Sequence, residues 1–522
     1  MFLLYPLLTA LLFIASFPFN ISAYIAFISF VPWFTSIALQ TEIKKTAASG
    51  ALFGLLISIY FSKPLYHSIM TGSPDNPLLP VFLIICTVIL PNVIIYCIYA
   101  ISLRWINTKH TYQRALFPAS AWIIIDYFKE LSSFMLPWGF AGYTQVYTPF
   151  IQIADITGIY GITFLIILIN TTITELIIII RQHVLLNNVS KIEADASALK
   201  SKLRKLLFLK SFSYNIILLL IIIISVFTYG IFKKNNVIAS FHNYEKVKYL
   251  IIQGNTESID RWNESTSASR YQSYIQLTEK KISDSDFTVW PETVLNSSDK
   301  TNFEIMSGIS ANLNDSGFFI SGGIRRDNDD NTYNSIFVMK KQKLEYIYDK
   351  KILFPYSERS FFGTSGGAFL NSPAKFSRGD TKSVYKTGKI LTGFSICFES
   401  IYPSVIRKQS RSGAALLVNV ANDSWFGNSS VPYLQKYAVI SRAIENRISI
   451  IRSSNSGISF AVTPAGEAVS IIPLNTRNTA YGSLPVIAKR SFYSKTGDWI
   501  IIVAILFLLI TIVTREIDKQ KY

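Results

Sequence analysis

Cys397 stands in Gly393-Phe394-Ser395-Ile396-Cys397-Phe398-Glu399, at the end of a run that reads as a buried strand. Of the three cysteines it alone lies outside the apolar runs, since Cys86 and Cys97 share one of them. A thiol with an ordinary pKa of about 8.5 is only a few per cent thiolate at pH 7, so a nucleophilic cysteine needs a base. His242 is the one histidine assigned to the extramembrane part, at its very edge. The expected base is therefore a carboxylate, which points away from a Cys/His pair and toward Glu/Lys/Cys chemistry. Glu292 follows Trp290-Pro291 at the end of another predicted strand, where the rigid proline aims the carboxylate off the sheet edge. Lys350 ends a third and leads into Lys351-Ile352-Leu353-Phe354-Pro355-Tyr356-Ser357-Glu358. In α/β folds reactive groups collect at strand ends, so Glu292, Lys350 and Cys397 can share one pocket.

The elements that position these residues follow from composition. From about residue 235 to 493 Asp, Asn, Ser and Gly rise, and short β-rich runs alternate with helical ones, an α/β pattern. Strands are expected over 247–253, 287–290, 317–323, 334–339, 344–349, 388–397, 414–419, 448–453 and 459–463, and helices over 265–282, 302–313 and 433–447. Thr463-Pro464-Ala465-Gly466-Glu467 reads as a hairpin turn.

The rest of the chain is of another kind. Half of the 522 residues are apolar, and the mean hydropathy is +0.32. Eight runs are read as spans of about 30 Å of hydrocarbon: residues 3–18, 23–39, 50–66, 79–103, 115–127, 160–180, 214–232 and 499–514. The fifth is short and carries Asp126. The first lacks a basic leader and a small-residue cleavage site, which favours a helix over a signal peptide. Lys44 and Lys45 follow the second span, Arg104, Lys109 and Arg114 the fourth, and seven basic residues the sixth. Positive loops stay in the cytoplasm, so even-numbered spans end there and the α/β part between spans seven and eight faces the periplasm. The net charge of +17 is largely explained by these loops, and no compact basic and aromatic module suggests nucleic acid. Three cysteines make no disulfide framework, and no His-rich or Cys-rich set suggests a metal.

Trp290-Pro291-Glu292, then Tyr348-Asp349-Lys350 with Pro355 and Glu358, then Cys397-Phe398-Glu399, then Asn422-Asp423-Ser424-Trp425-Phe426-Gly427, resemble the nitrilase, or carbon-nitrogen hydrolase, superfamily. With seven spans before that part and one after it, the whole chain resembles the apolipoprotein N-acyltransferase family. Leu136-Pro137-Trp138, Gly142-Tyr143 and Arg452-Ser453-Ser454-Asn455-Ser456-Gly457 carry the likeness further. The resemblance implies an α-helical polytopic membrane domain of eight spans plus a nitrilase-like α/β domain built as an αββα sandwich. The divisions are residues 1–232 for spans one to seven, 233–495 for the catalytic domain, and 496–522 for the eighth helix and a cytoplasmic tail. Ser357 departs from the usual glycine, and Phe398 from the usual tyrosine; neither removes a titrating group.

By resemblance Cys397 is the nucleophile, Glu292 the general base and acid, with burial beside a thiol expected to raise its pKa, and Lys350 the stabiliser of the oxyanion. Lys351 competes for the lysine role, but adjacent strand residues point oppositely and the spacing to Pro355 and Glu358 favours Lys350. Glu358 is expected to position the lysine, Glu399 to organise the pocket, and Trp262 and Phe398 to support it; for each, plain packing or structural pairing is the alternative. Arg442 and Glu445, three apart on one helical face, are expected to form a structural ion pair. The reaction implied is ping-pong. Cys397 takes an acyl chain from the sn-1 ester of a phospholipid as a thioester, and the α-amine of the diacylglyceryl-cysteine of an apolipoprotein receives it as an amide. No cofactor or metal is required. The partners are the phospholipid donor, the apolipoprotein acceptor and a bacterial inner membrane, and the expected state is a monomer. Residues 361–370 and 134–138 are apolar and are expected to dip into the outer leaflet and gate acyl-chain entry. The competing enzyme reading is a membrane-tethered nitrilase-like amidase acting on a small C–N substrate. A transporter or scaffold is disfavoured because few ionisable residues, chiefly Asp126 and Glu175, fall within the spans.

Overall fold

A computed structural model describes residues 2–17, 22–72, 78–106, 111–132, 135–190, 198–256, 264–296, 299–355, 358 and 376–520. The chain divides into two compact units, one of Met1–Tyr60, Ile85–Lys233 and Asp498–Tyr522, the other of Phe61–Ile84 and Lys234–Gly497.

Apolar residues without strand punctuation make the first part helical, because a helix satisfies every backbone polar group within its own segment, as a bilayer demands. The helices are α1 (Leu4–Ala15), α2 (Val31–Leu39), α3 (Ile43–Gly72), α4 (Leu78–Ile84), α5 (Leu90–Trp105), α6 (Thr111–Leu131), α7 (Ala154–Ser190) and α8 (Ala198–Ala239). Among the described residues five helices are long and apolar enough to cross a membrane: Ile43–Met70, Pro80–Trp105, Pro149–Gln182, Ile216–Asn243 and Trp499–Ile517. Leu4–Ala15 and Ala23–Leu39 are shorter apolar helices. The run at 115–127 lies in α6, which carries Asp126, Lys129 and Glu130, all buried. Five of the eight expected spans thus stand on length and composition.

Gly50 and Gly54 let α3 approach α5 closely. A Cβ on Gly50 would lie 2.3 Å from the carbonyl oxygen of Tyr96, and one on Gly54 2.6 Å from that of Asn92. The aromatic core beside them stacks Trp33 on Phe53 at 4.5 Å and sets Tyr96 edge-on to Phe53 at 5.0 Å. The 134–138 loop departs from expectation. Phe134 is outside the described residues, and Met135 and Trp138 are only 6% and 8% exposed, because they pack inward rather than presenting an apolar tip. Residues 361–370 also lie outside the described residues.

The second unit is a two-sheet sandwich. Its strands are β1 (Lys246–Gln253), β2 (Phe287–Val289), β3 (Phe318–Arg326), β4 (Thr332–Lys340), β5 (Lys343–Asp349), β6 (Val384–Thr387), β7 (Ile390–Ile396), β8 (Leu416–Ala421), β9 (Ser449–Ser454), β10 (Ser459–Val462), β11 (Ala468–Ile472) and β12 (Asn478–Pro485). Its helices are α9 (Glu264–Glu279), α10 (Asp299–Ser310), α11 (Pro403–Arg411), α12 (Val431–Asn446) and α13 (Phe492–Thr496); α14 (Trp499–Gln520) ends the chain. One sheet has the order β12-β1-β2-β3-β4-β5 and the other β11-β10-β9-β8-β7-β6. The sheets face one another, β1 against β9 and β10, β3 against β8, and β4 against β7. Helices α9 and α10 cover the first sheet over a core of Leu250, Ile252, Tyr274, Trp290, Phe319 and Met339. Helices α11 and α12 cover the second, completing an αββα order. The turn at Thr463 forms as expected, with Gly466 at φ +86° donating to the Thr463 carbonyl at 2.9 Å.

Strand direction brings the reactive ends together. β1, β2 and β3 are mutually parallel, β4 is antiparallel to β3, and β5 returns antiparallel to β4. The C-terminal ends of β2 and β5 therefore lie on one edge of the first sheet. In the second sheet β7, β8 and β9 are parallel, so their ends share an edge too.

Candidate active site

Glu292 is held by the backbone beneath it. Trp290 donates its backbone N–H to Ile320 at 2.8 Å and its indole N–H to Thr278 at 2.8 Å, and is fully buried. Gly322 makes room alongside: a Cβ there would lie 2.5 Å from the Glu292 Cα, which only glycine tolerates. Thr293 turns the chain away at φ +53°.

Lys350 follows β5. Its backbone N–H donates to the Asn334 carbonyl at 2.9 Å, and the side chain before it, Asp349, is fixed by Arg325 at 2.8 Å. Its ammonium, 1% exposed, lies 2.8 Å from Glu358 Oε1 and 3.2 Å from Glu292 Oε1. Burial works against that charge, but the Glu292 and Glu358 carboxylates outweigh it and hold the lysine pKa above its ordinary value. Lys351 has no such place. Its backbone N–H serves Glu399, and burial with the nearby Lys408 lowers its pKa.

Cys397 sits in the left-handed region at φ +54°, a conformation that is uncommon and costly for a residue with a Cβ. Its carbonyl accepts from Ser400 Oγ at 3.0 Å and Asn419 Nδ2 at 3.2 Å, which hold the turn. Burial, reinforced by the Glu292 charge, pushes the thiol pKa well above its ordinary value, while Lys350 draws it down. The resting sulfur is therefore a thiol, and its proton must leave as it attacks.

Glu399 is wholly buried and ties two turns together. Oε1 accepts from the backbone N–H of Lys351 at 2.7 Å and of Ile352 at 3.0 Å; Oε2 accepts from the Ile396 N–H at 2.8 Å and the Tyr348 hydroxyl at 2.9 Å. One carboxylate thus sets the spacing between the Lys350 and Cys397 strand ends. Burial raises its pKa, and the three backbone donors pull against that. Glu358 Oε2 accepts the Phe354 N–H at 2.7 Å, which leaves Oε1 for the lysine. Phe398 is buried, edge-on to Phe354 at 5.0 Å, with its ring centroid 5.8 Å from the Lys350 ammonium. Trp262 lies outside the described residues. Arg442 and Glu445 form the expected ion pair, Nε to Oε2 at 2.9 Å, both fully buried.

Two neighbours, Asn334 and His67, escaped the sequence reading, and a third, Asp423, was legible there only as part of a motif. Asn334 Nδ2 donates to Glu292 Oε1 at 2.8 Å and to Glu358 Oε1 at 3.0 Å, steering both carboxylates to the lysine. Nothing in its spacing marks it, since only the pairing of β4 with β3 and β5 brings it to the pocket. Asp423, at the end of β8, acts electrostatically on the thiol. His67, one residue past the third predicted span, approaches Gly427, where a Cβ would fall 2.8 Å from its Nε2.

The arrangement holds a protonated amine among carboxylates beside a thiol on which, among the described residues, carboxylates and the lysine act rather than an imidazole. A carboxylate to take the proton and an ammonium to meet a developing oxyanion suit acyl transfer through sulfur.

Comparison with known proteins identifies the family. A family model described as the apolipoprotein N-acyltransferase N-terminal domain matches residues 9–172, and one for carbon-nitrogen hydrolase matches residues 251–488. An apolipoprotein N-acyltransferase of Geobacter metallireducens is 29% identical over 72% of this chain and 69% of its own length. Apolipoprotein N-acyltransferase 2 of Treponema denticola is 28% identical over 77% of each chain. The Borreliella burgdorferi apolipoprotein N-acyltransferase is 25% identical over 95% of this chain and 92% of its own. With an N-terminal helical part and a two-sheet hydrolase domain each matched in order, the chain belongs to the apolipoprotein N-acyltransferase family, acyltransferases within the carbon-nitrogen hydrolase superfamily.

Proposed function

We propose that this enzyme moves an acyl chain from the sn-1 position of a phospholipid to the α-amino group of the diacylglyceryl-cysteine of an apolipoprotein, through a thioester on Cys397. The observation that carries the reading is the Lys350 ammonium, held between the Glu292 and Glu358 carboxylates at strand ends that converge with the Cys397 turn. In the first half-reaction Glu292 takes the thiol proton as sulfur attacks the ester carbonyl. Lys350 meets the oxyanion, and the lysophospholipid leaves with the proton from Glu292. In the second half-reaction Glu292 deprotonates the attacking amine and returns the proton to sulfur.

The setting favours amine over water, because a lipidic pocket keeps water scarce around the thioester. Eight spans, the first seven in residues 1–232 and the last in 496–522, anchor a catalytic domain of residues 233–495 on the periplasmic face of a bacterial inner membrane. The three runs not long and apolar enough by themselves, at 3–18, 23–39 and 115–127, cross alongside their neighbours. The enzyme works as a monomer.

The test is mass spectrometry of the purified full chain after exposure to phospholipid micelles. A mass increase equal to one acyl chain on Cys397, removed by an S-diacylglyceryl-cysteinyl peptide with a free α-amine, is the expected result. A bare thiol beside turnover of a small soluble amide overturns it in favour of a hydrolase.

A further inference from the structure

We infer that Asp423 is the acceptor-binding residue, its free carboxylate oxygen receiving an N–H of the incoming α-amine at the Cys397 thioester; this rests on the acyl-transfer reading above. Asp423 belongs to the motif Asn422-Asp423-Ser424-Trp425-Phe426-Gly427, for which the triad has no use. It is 1% exposed and its two oxygens have different surroundings. Oδ2 is fully engaged, accepting from Arg452 Nη2 at 2.9 Å and Ser454 Oγ at 3.2 Å. Gly457 leaves it space, since a Cβ there would fall 2.0 Å from Oδ2. Oδ1 is buried with no hydrogen-bond partner among the described residues.

A structural aspartate in this position needs only the engaged oxygen. Burying a second carboxylate oxygen unpaired is costly, the more so for a charged group, so a group that completes it on binding is expected. The register says which reaction it serves. Ile396 pairs with Val420 across parallel β7 and β8, so the turns that follow, at Cys397 and at Asn422-Asp423, leave the sheet side by side. Asn419 links them, donating to the Cys397 carbonyl at 3.2 Å while accepting from Arg452, whose other nitrogen holds Asp423. Glu292 joins the same edge, its backbone N–H reaching the Ala421 carbonyl at 3.4 Å.

Of the two substrates, only the acceptor brings an N–H group to the acyl carbon itself, since any amine of a phospholipid headgroup lies beyond the phosphate, away from the ester that Cys397 attacks. A phospholipid ester offers acceptor oxygens and a phosphate, which an unpaired carboxylate repels. An α-ammonium offers donors and the complementary charge. The ammonium first gives one proton to water. The neutral amine attacks the thioester carbonyl carbon while Glu292 takes a second proton, the C–N bond forms, the C–S bond breaks, and Glu292 returns that proton to sulfur. Asp423 keeps its hydrogen bond to the amine nitrogen throughout and changes no protonation state.

The experiment separates the half-reactions in the full-length protein, using phospholipid micelles to load Cys397 and the S-diacylglyceryl-cysteinyl peptide to discharge it. Asp423→Asn is expected to load at close to the wild-type rate but to transfer to the peptide about 10- to 100-fold more slowly, the loss of one charge-assisted hydrogen bond. The pH dependence of transfer at saturating peptide should shift to lower pH, since the bound ammonium loses its anion. Hydroxylamine, a neutral nucleophile, should discharge both proteins equally. Equal loss of loading and transfer in Asp423→Asn, or transfer at the wild-type rate, overturns the assignment while leaving the acyl-transfer reading intact. Slower thioester hydrolysis with unchanged aminolysis overturns it too. Wild-type protein that never forms a thioester overturns the acyl-transfer reading and the assignment with it.

Discussion

Two clusters of buried ionisable side chains, one in each unit, use the same residue types to different ends. In α6, Asp126, Lys129 and Glu130 are 2%, 7% and 5% exposed, yet Lys129 donates to the Tyr96 hydroxyl at 3.0 Å and Glu130 accepts from Tyr160. At the sandwich edge, Lys350 is flanked by two carboxylates with a thiol in its field. The helical cluster comes from five consecutive positions, whose relative geometry the helix dictates. The strand-end cluster draws on residues 292, 350, 358 and 397, and its geometry belongs to the sheets. Side chains from one helix spread along a surface and find phenols as partners. Those from converging strand ends meet in a common volume, where a substrate carbonyl can be reached from several sides.

The comparison breaks if the helical cluster proves as indispensable to turnover as the other. Cys397→Ala is expected to lower N-acylation of a lipopeptide by at least about 10³-fold, whereas Lys129→Met keeps turnover per folded molecule within about threefold and loses about 1–3 kcal/mol of stability. Lys350→Met leaves Glu292 and Glu358 buried without their cation. It should cost about 3–5 kcal/mol in denaturant unfolding, and any folded remainder should load Cys397 at least about 100-fold more slowly.

Thiol titration sharpens the same contrast. The folded state binds the Cys397 proton more tightly than an unfolded chain does, so the associated stability is complete below about pH 8.5 and is lost as pH rises toward the folded value. Alkylation by iodoacetamide, measured against an unfolded control, should be at least about tenfold slower at pH 8 and rise steeply above pH 9. Asn334→Ala, which frees both carboxylates from their shared donor, is expected to slow turnover about tenfold with the nucleophile still alkylatable. Phe398→Tyr should change activity by no more than about threefold, since the ring packs on Phe354 and Tyr402 and holds no proton.

Much of the sandwich was legible because its central strands are continuous apolar runs. β7 and β8 are buried almost throughout, and their runs at 388–397 and 414–419 were read within a few residues. The strands that escaped, β6, β11 and β12, are at or near sheet edges with one face in solvent, and their Lys386, Ser470 and Gly482 dilute the β signal. α11 escaped because it is a nine-residue helix that buries only Pro403, Ile406, Gln409 and Ser410. In the helical part, runs of 16 to 25 residues could be read from hydropathy alone, while α6 mixes apolar and charged residues and gives a weaker signal.

The sequence by itself determined which groups are proposed to react, because a thiol without a histidine close to it in the chain, a proline-aimed glutamate and a lysine at strand ends are chemical facts of residue type and order. Only the tertiary structure decided how they meet. Glu399 spans two turns 48 residues apart, Asn334 joins two carboxylates, and one oxygen of Asp423 is left over. Those relations depend on parallel register and on two sheets packing face to face, which arise from contacts between distant segments that no local pattern encodes.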